Sequence, residues 1–296
     1  MGLAKRVLVT GGTGTLGHAL IPKLLDRGDL PVVFSRDEYK QNLMSTQYPM
    51  VEFVLGDVRS YDSVYDATSG IQAVIHAAAL KRIEIGERQP WEFIQTNVLG
   101  SRHVVASARN RGIMSAVLVS SDKAVYPINT YGVTKALAEK LFLGAGYSAV
   151  RYGNVLGSRG SLLEIVDRCR EEDRPIPITD PRMTRFFWTV EEAADFVLEH
   201  MDTPGLHIPD LQGKRIVDLI QEAAPDHPMQ EVGVGPGEKL HEWLETEEEN
   251  PDALPSGPNI FRWPPEAQED PLTSSQVFHA HSETRGPSLG LPWSRE

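Results

Sequence analysis

Short apolar runs alternate with longer amphipathic stretches through the first half of the chain. The runs are rich in Val, Ile, Leu and Ala and stay apolar throughout, which is typical of strands buried on both faces of a parallel sheet. The alternation with helix-length segments predicts an α/β fold with a doubly wound parallel sheet. The predicted strands cover residues 6–10, 31–35, 51–55, 73–76, 116–120 and 148–152.

Helix-length segments lie between these strands. The stretches 16–28 and 97–112 both end at a glycine, which is common just after a helix C-terminus. After about residue 153 turn residues become frequent, and we predict a smaller, less regular lobe there. Periodic stretches in this lobe predict further helices at residues 161–172, 189–201 and 215–224.

Composition and charge narrow the partners and the compartment. The 296 residues carry a net charge of −12, which argues against a general affinity for nucleic acid or for an anionic membrane surface. The single cysteine, Cys169, permits no intrachain disulfide, and we expect a half-buried helix thiol in a reducing compartment. The first apolar run is too short for a signal peptide, and no run approaches membrane-spanning length. We therefore predict a cytoplasmic protein.

A glycine-rich turn follows the first strand and opens the next helix. Its sequence is TGGTGTLG over residues 10–17. Glycines at this spacing let the turn tighten and let backbone N–H groups approach a pyrophosphate at the helix N-terminus. The pattern predicts a Rossmann-like sheet that binds a dinucleotide. The predicted loop contacts are Gly11, Thr13, Gly14, Thr15, Leu16 and Gly17.

Residues at the ends of the next strands are predicted to complete this site. The second strand ends in Ser35, Arg36 and Asp37. An acid at this place would bind the ribose hydroxyls of NAD, whereas an arginine suits the 2′-phosphate of NADP. Arg36 favours NADP, and Asp37 keeps NAD as an alternative. Further predicted contacts are Asp57 and Val58 at the adenine edge and the small apolar residues Ala77, Ala78 and Ala79.

A charged cluster follows the fifth strand, in the sequence SSDKAVYPINTYGVTK over residues 120–135. Tyr131 and Lys135 are four residues apart and share one face of a helix. A nearby ammonium lowers the pKa of a phenol. The phenolate can then take the proton of a sugar hydroxyl as hydride leaves its carbon. We predict that Tyr131 is this base and that Lys135, beside the cofactor, lowers its pKa. Ser120 and Ser121 are predicted to form hydrogen bonds with the sugar hydroxyl.

Residues 5–155 resemble the extended short-chain dehydrogenase/reductase superfamily. With the motifs given below, the chain resembles the UDP-N-acetylglucosamine 4,6-dehydratases. It is most similar to the 5-inverting enzymes of pseudaminic-acid and related bacterial glycan pathways. The motifs reach to about residue 245 and are HAAALK (76–81), TNVLG (96–100), SSDK (120–123), VRYGNVLGSRGS (150–161), ITDPRMTRF (178–186) and PGEKLHE (236–242).

The resemblance implies a dehydratase that acts on a UDP-sugar with NADP. Tyr131 would deprotonate the carbon 4 hydroxyl as that carbon is oxidised. Lys123, in its neutral form, would remove the proton of carbon 5, and protonated Asp122 would support loss of water from carbon 6. Return of hydride to carbon 6 and reprotonation of carbon 5 from the opposite face would invert carbon 5. The implied catalytic residues are Ser121, Asp122, Lys123, Tyr131 and Lys135.

The resemblance also implies further contacts, and the changes in composition along the chain predict a domain plan. Asn97 and Tyr152 would join the cofactor site. The plan is an NADP-binding domain over 1–153, a mainly substrate-binding lobe over 154–250 with some segments packed on the first sheet, and a Pro/Ser-rich tail over 251–296. No metal site is predicted, and His279 and His281 are assigned to an exposed tail. The implied substrate contacts are Lys81, Asn154, Arg159, Arg185, Glu238 and Lys239.

Two departures from the family pattern leave the substrate open. Gly235 stands where the family usually has an arginine, and residues 82–93 differ from its usual small, polar run. The alternatives are a UDP-sugar 4-epimerase, a 5,6-dehydratase that releases an exocyclic alkene, and a non-catalytic NADP-binding regulator. The Asp-Lys pair argues against the epimerase, and the Tyr-Lys pair argues against the regulator. From the superfamily we also expect a homo-oligomer, a dimer or larger.

Overall fold

The computed structural model describes residues 4–158 and 161–249. The strands are β1 (Arg6–Thr10), β2 (Leu30–Ser35), β3 (Glu52–Leu55), β4 (Ala73–His76), β5 (Ser115–Val119), β6 (Ser148–Val150), β7 (Asn154–Val155), β8 (Ile176–Ile178), β9 (Thr184–Trp188), β10 (Gly205–His207), β11 (Gly213–Arg215) and β12 (Met229–Glu231). The α-helices are α1 (Thr15–Asp26), α2 (Glu38–Gln47), α3 (Tyr61–Ala67), α4 (Ile83–Arg88), α5 (Pro90–Phe93), α6 (Gly100–Asn110), α7 (Thr130–Gly144), α8 (Leu162–Glu171), α9 (Val190–His200) and α10 (Ile216–Ala223). A π-helix spans Ile94–Leu99, and a 3₁₀ turn spans Asp122–Ala124.

The central sheet has the strand order β10-β6-β5-β4-β1-β2-β3, and each neighbouring pair is parallel. The strand order reverses at β1, which lies between β2 and β4, so a crevice opens at the carboxyl ends of these strands. The predicted doubly wound α/β fold is confirmed. The six predicted strands form within two residues of their predicted bounds.

Alternate residues of each strand enter two different apolar clusters. Val7 and Val9 of β1 pack with Leu20 of α1 on one face of the sheet. Leu8, between them, packs with Val104 of α6 on the other face. Because helices cover both faces, successive residues of the inner strands are buried, and this explains the unbroken apolar runs in the sequence.

Two glycines end their helices as predicted. Gly28 follows α1 and has a φ of +80°, and Gly112 follows α6 and has a φ of +69°. The N–H of Gly28 donates to the carbonyl of Leu25, and that of Gly112 donates to the carbonyl of Arg109. These bonds satisfy carbonyls that the last helical turn leaves without partners.

The chain after residue 153 divides its elements between two places. Strand β10 extends the central sheet beside β6, and α9 packs against α1. Strands β7, β9 and β11 form a separate three-stranded sheet, and β8 pairs with β12. Cys169 of α8 is fully buried with Ile176 and Ile220, so the expected half-buried thiol is corrected to a core residue.

Some predictions fall outside the described residues. These are Arg159 and the tail over 251–296 with His279 and His281. Within residues 4–158 and 161–249, no helix combines the length and apolar character needed to cross a membrane.

Candidate active site

A cavity of about 940 Å³ opens at the carboxyl ends of the central strands. It lies where the strand order reverses, which is where open α/β sheets bind ligands. Its wall contains all the residues predicted to bind the cofactor except Asn97. They are Gly11, Thr13, Gly14, Thr15, Leu16, Gly17, Ser35, Arg36, Asp37, Asp57, Val58, Ala77, Ala78, Ala79, Ser120, Tyr131, Lys135 and Tyr152.

The glycine loop between β1 and α1 passes very close to neighbouring backbone. Gly11 has a φ of +69°, and a Cβ there would lie 2.8 Å from the backbone nitrogen of Ala78. A Cβ at Gly17 would overlap the carbonyl oxygen of Gly12. Gly14 is the N-cap of α1 and lines the cavity, so the N-terminus of this helix is open to a ligand. This cradle fits a phosphate group.

Two cations line the cavity beyond the end of β2, and they are Arg36 and Lys40. The carboxylate of Asp37 accepts a hydrogen bond from the backbone N–H of Lys40 and caps α2, and it lies 2.6 Å from the Lys40 Nζ. Because of these contacts, the Asp37 carboxylate is already engaged with its own helix. At the neighbouring Asp57, burial would raise the pKa, but hydrogen bonds from Arg59 and the charge of Arg36 hold the pKa below its ordinary value.

Tyr131 and Lys135 line the cavity from α7, with Ser121 and Lys123 beside them. Burial raises the pKa of Tyr131, and a hydrogen bond with Ser121 and the charge of Lys123 only partly offset this. Burial lowers the pKa of Lys135 to about 8, and its Nζ donates to the carbonyl of Val119 over 2.6 Å. The predicted lowering of the Tyr131 pKa by Lys135 is therefore wrong in this structure, because burial dominates and the cation with the largest effect is Lys123.

The start of α7 is held against the turn that carries Lys123. Asn129 caps the helix, and its side-chain oxygen accepts from the N–H of Gly132 over 2.7 Å. A Cβ at Gly132 would overlap the carbonyl oxygen of Lys123. This close packing places Tyr131, one residue earlier, next to the Asp-Lys pair.

Asp122 and Lys123 form an ion pair after β5. Asp122 is fully buried, and its Oδ1 accepts from Lys123 Nζ over 3.1 Å and from Ser121 Oγ over 2.8 Å. Burial would lower the pKa of Lys123, but the charges of Asp122 and Glu242 raise it above its ordinary value. Lys123 is therefore a cation in this state, and Asp122 lies behind it rather than on the cavity wall.

Glu242 was not predicted as a site residue. It is 2% exposed, and its Oε1 lies 3.5 Å from Lys123 Nζ while its Oε2 lies 3.2 Å from Lys239 Nζ. Despite its burial, these cations hold the pKa of Glu242 below its ordinary value. The motif PGEKLHE ends at this residue, but nothing local in the motif indicates its distant partner.

A second buried acid, Glu139 of α7, was also missed. It accepts from Ser120 Oγ over 2.5 Å and pairs with Arg151 Nη2 over 2.7 Å. Arg151 also pairs with Glu249 over 2.6 Å. This chain of contacts links the end of β5 to the last described residues. The sequence signal for Glu139 is weak, because the same helix carries two other charged residues, Lys135 and Lys140.

Asn97 lies behind the cavity wall. It is 1% exposed, and its side chain accepts from the N–H of Leu80 and donates to the Leu80 carbonyl and to Thr134 Oγ1. It belongs to the π-helix, whose neighbouring residue Thr96 does line the cavity. Asn97 thus holds the loop after β4 against α7.

The residues predicted to bind the substrate divide into two groups. Lys81 and Asn154 line the cavity. Arg185 is 7% exposed, and its guanidinium donates to the backbone carbonyls of Thr184, Lys239 and Leu240. Glu238 accepts from the N–H of Gly235, and Lys239 donates to a carbonyl after β5. These three residues do not line the cavity.

Three cations on the described part of the cavity wall were not predicted, and they are Lys40, Arg82 and Arg168. Arg168 of α8 lines the cavity, is about half exposed and pairs with Glu164 over 3.5 Å. An arginine fork at such a place can bind a diphosphate. The sequence signal was a cationic position on an amphipathic helix, which is too common to single out.

The unusual stretch 82–93 forms α4 and α5 at the edge of the site. Its first residues, Arg82, Ile83 and Glu84, line the cavity. Glu87 accepts from the N–H of Thr130 over 2.7 Å and so supports the first turn of α7. This departure therefore changes the wall of the cavity itself.

Comparisons with known proteins agree with this geometry. A family described as polysaccharide biosynthesis protein matches residues 7–262. The UDP-N-acetylglucosamine 4,6-dehydratase (inverting) of Campylobacter jejuni is 37% identical over 255 residues, which is 80% of this chain and 76% of that protein. The UDP-glucose 4-epimerase of Rickettsia rickettsii is 36% identical over 269 residues, covering 83% and 79%. The X-ray structure of Pen from Bacillus thuringiensis is 33% identical with a TM-score of 0.81, covering 84% and 83%.

Proposed function

Because the chain belongs to the polysaccharide biosynthesis protein family, we propose that it is a nucleotide-sugar 4,6-dehydratase that inverts carbon 5. UDP-N-acetylglucosamine is the proposed substrate. The observation that carries this function is the buried Asp122–Lys123 pair beside Tyr131. Elimination of water needs a base and an acid in addition to the Tyr131 phenol, and this pair supplies both.

The cavity fits a nicotinamide dinucleotide, and we propose NADP. The glycine loop can cradle the pyrophosphate at the N-terminus of α1. Arg36 and Lys40 can hold a 2′-phosphate, whereas Asp37 is engaged in capping α2. When bound, the nicotinamide supplies the hydride acceptor and donor of the reaction.

Tyr131 is the proposed base for the carbon 4 hydroxyl. Its phenol is neutral in the resting protein because burial raises its pKa. The hydrogen bond with Ser121 and the ammonium of Lys123 both favour the phenolate, so they lower the cost of this proton transfer. Lys135 lies on the same face of α7 and lines the cavity together with Tyr131.

Lys123 and Asp122 are the proposed base and acid of the elimination. They start as an ion pair at 3.1 Å. Transfer of one proton along this hydrogen bond turns the ammonium into an amine and the carboxylate into a carboxylic acid. The amine can then take the carbon 5 proton. Asp122 lies behind the wall, so Ser121, which lines the cavity with its Oγ 2.8 Å from Asp122 Oδ1, can relay the acid's proton to the hydroxyl that leaves carbon 6.

The UDP-sugar is proposed to lie along the wall formed by Lys81, Asn154 and Arg168. Asn154 Oδ1 lies 3.4 Å from Lys123 Nζ, so it can orient a sugar beside the base. Lys81 and Arg168 can neutralise the diphosphate. The buried Arg185 is proposed to support this wall rather than to touch the phosphates.

Two further proposals concern the oligomeric state of the protein and its cellular compartment. Exposed apolar side chains at Val133 and Leu137 on α7 and at Trp91 on α5 support a homo-oligomer. The single cysteine, which is buried, supports a reducing compartment, and we propose the cytoplasm.

NMR in deuterated water tests the function. Purified protein with NADP and UDP-N-acetylglucosamine should yield a 4-keto, 6-deoxy sugar with deuterium at carbon 5, and coupling constants should show inversion. Lys123→Met should lower product formation by roughly 10²–10⁴-fold while reduced cofactor still forms on mixing. Unchanged substrate with folded, NADP-bound protein would contradict the assignment.

The relatives named 4-epimerases support one alternative, a UDP-sugar 4-epimerase. An epimerase needs only the oxidation and reduction at carbon 4. Its product would retain the carbon 6 hydroxyl, contain no deuterium at carbon 5 and still form in Lys123→Met. The same spectra therefore separate the two activities.

A further inference from the structure

Glu242 is a buried carboxylate with a cation at each oxygen. Its side chain is 1% exposed, with Lys123 Nζ at 3.5 Å and Lys239 Nζ at 3.2 Å. A buried carboxylate is costly unless its charge is paired, so this position is stable only while both ammonium groups remain close.

Glu242 reaches the site on the segment of residues 235–249, which is mostly irregular. Asn129 Nδ2 donates to the carbonyl of Gly237 over 2.7 Å, and Lys239 Nζ donates to the carbonyl of Val125 over 2.6 Å. Arg185 Nη2 donates to the carbonyl of Lys239 over 2.9 Å. The first two bonds hold the segment on the loop between β5 and α7, where the proposed catalytic groups lie, and the third ties it to β9.

We propose that Glu242 is a positioning residue for the elimination, a role that rests on the function proposed above. Together with Asp122 it holds the ammonium of Lys123 at the cavity wall beside Asn154. A lysine side chain has four flexible bonds, and one carboxylate from the adjacent residue leaves it free to swing. The second carboxylate, from a distant segment, restricts the ammonium to one place.

This clamp also sets the pH at which Lys123 can lose its proton. Burial alone would lower the pKa of Lys123, and the two carboxylates more than compensate. Loss of the Glu242 charge therefore lowers the pKa of Lys123. The charged and titratable groups around Lys123 are Asp122, Tyr131, Arg185 and Glu242, with Lys81 across the cavity and Lys239 behind Glu242.

NMR titration of the full protein labelled with [¹³C]lysine tests the clamp directly, and Lys123→Met assigns the signal. Glu242→Gln should move the Lys123 midpoint down by at least about one pH unit, because one of two nearby negative charges is lost. Glu249→Gln is the matched control, since it removes another acid of the same segment that pairs with Arg151 and not with Lys123. Its midpoint should equal that of the wild type.

Glu242→Asp serves if Glu242→Gln does not fold. It keeps the charge but withdraws the carboxylate, so its midpoint should lie below that of the wild type. An unchanged midpoint in the folded variant, or an equal shift in Glu249→Gln, overturns the proposal.

Deuterium incorporation at carbon 5 gives a second readout. In Glu242→Gln its alkaline limb should move to lower pH by the same amount as the Lys123 midpoint, because the Asp122–Lys123 pair acts with one shared proton and loses it when Lys123 titrates. If the wild type does not convert UDP-N-acetylglucosamine, the proposed function fails, and the NMR titration still decides the role of Glu242.

Discussion

Two regions of the chain meet at Lys123 and reach it in different ways. Residues 115–135 form one continuous stretch in which β5, a 3₁₀ turn and the start of α7 carry Ser121, Asp122, Lys123 and Tyr131. The 235–249 segment has little regular structure and comes to the same place through contacts more than a hundred residues apart. The first region could be interpreted from its motifs. The role of the second became visible only in its contacts.

The difference shows that the proposed reacting residues and the residues that position them are distributed differently along the chain. The proposed reacting groups lie on the turn that follows β5 and on the helix after it, so they occur together in the sequence. A supporting group such as Glu242 needs only to arrive at the right point, and any anchored segment can deliver it. The following predictions test this division, from the largest expected effect to the smallest.

Tyr131→Phe should have the largest effect, because it removes the proposed base of the first region. Loss of the phenol removes the proposed base, so kcat should fall by roughly 10²–10⁴-fold while NADP still binds. Steady-state kinetics and NADP titration measure the two effects. Tyr39→Phe, at a phenol that is 70% exposed on α2, is the control and should retain activity. A loss of less than ten-fold in Tyr131→Phe would contradict the assigned role.

Arg151→Met should break the link between the two regions. Arg151 pairs with buried Glu139 and with Glu249, and its removal leaves the Glu139 charge without its cation. The free energy of unfolding should fall by about 3–5 kcal/mol, measured in urea. Arg215→Met, which removes an exposed pair with Asp218, should lower the free energy of unfolding much less. An equal loss of unfolding free energy in the two variants would show that the buried pairs of Arg151 stabilise the protein no more than an exposed pair does.

Arg36→Ala should sharpen the comparison at another part of the site that, like the first region, could be interpreted from its motif. Loss of a charged hydrogen bond should weaken NADP binding by about ten-fold or more and leave NAD binding nearly unchanged. Calorimetric titration with both cofactors measures the ratio. Arg59→Ala, which also removes a cation next to Asp57, should leave that ratio unchanged. A similar loss for NAD in Arg36→Ala would argue against the 2′-phosphate site.

Glu249→Gln should loosen the end of the second region in a pH-dependent way. The hydrogen bond from Arg151 lowers the pKa of Glu249 from 4.5 to about 2, despite partial burial. Its stabilisation is therefore complete above about pH 4.5 and is lost as the pH falls towards 2. Allowing for solvent screening, the variant should be about 1–2 kcal/mol less stable at neutral pH.

Unfolding curves at several pH values test the sign. The difference between wild type and Glu249→Gln should shrink as the pH falls below about 4.5. A difference that grows in acid would contradict the assigned ion pair with Arg151.

The predicted cofactor site shows where motif reasoning succeeds and where it stops. The glycine loop lines the cavity because each glycine lies within a few residues of the strand that ends there. Asn97 also belongs to a motif, but its amide is used by Leu80 and Thr134. A motif predicts where a residue lies along the chain, whereas the direction of its side chain depends on the neighbours that compete for its hydrogen bonds.

Arg185 gives the same lesson for the second lobe. Its guanidinium matches a diphosphate in charge and shape, yet it donates to backbone carbonyls of β9 and the 235–249 segment. Arg168, which does line the cavity, has no motif around it. Charge type alone could not separate the buried anchor from the cation on the wall.

Local pattern alone was enough for six of the seven strands of the central sheet, the glycine loop and the Tyr131–Lys135 pair. Each of these depends on residues within one or two turns of one another, where spacing defines geometry. Tertiary contacts decided that burial governs the pKa of Tyr131 and that Glu242 joins Asp122 around Lys123. Charges interact through space rather than along the chain, so the state of a buried lysine depends on which distant segments fold against it.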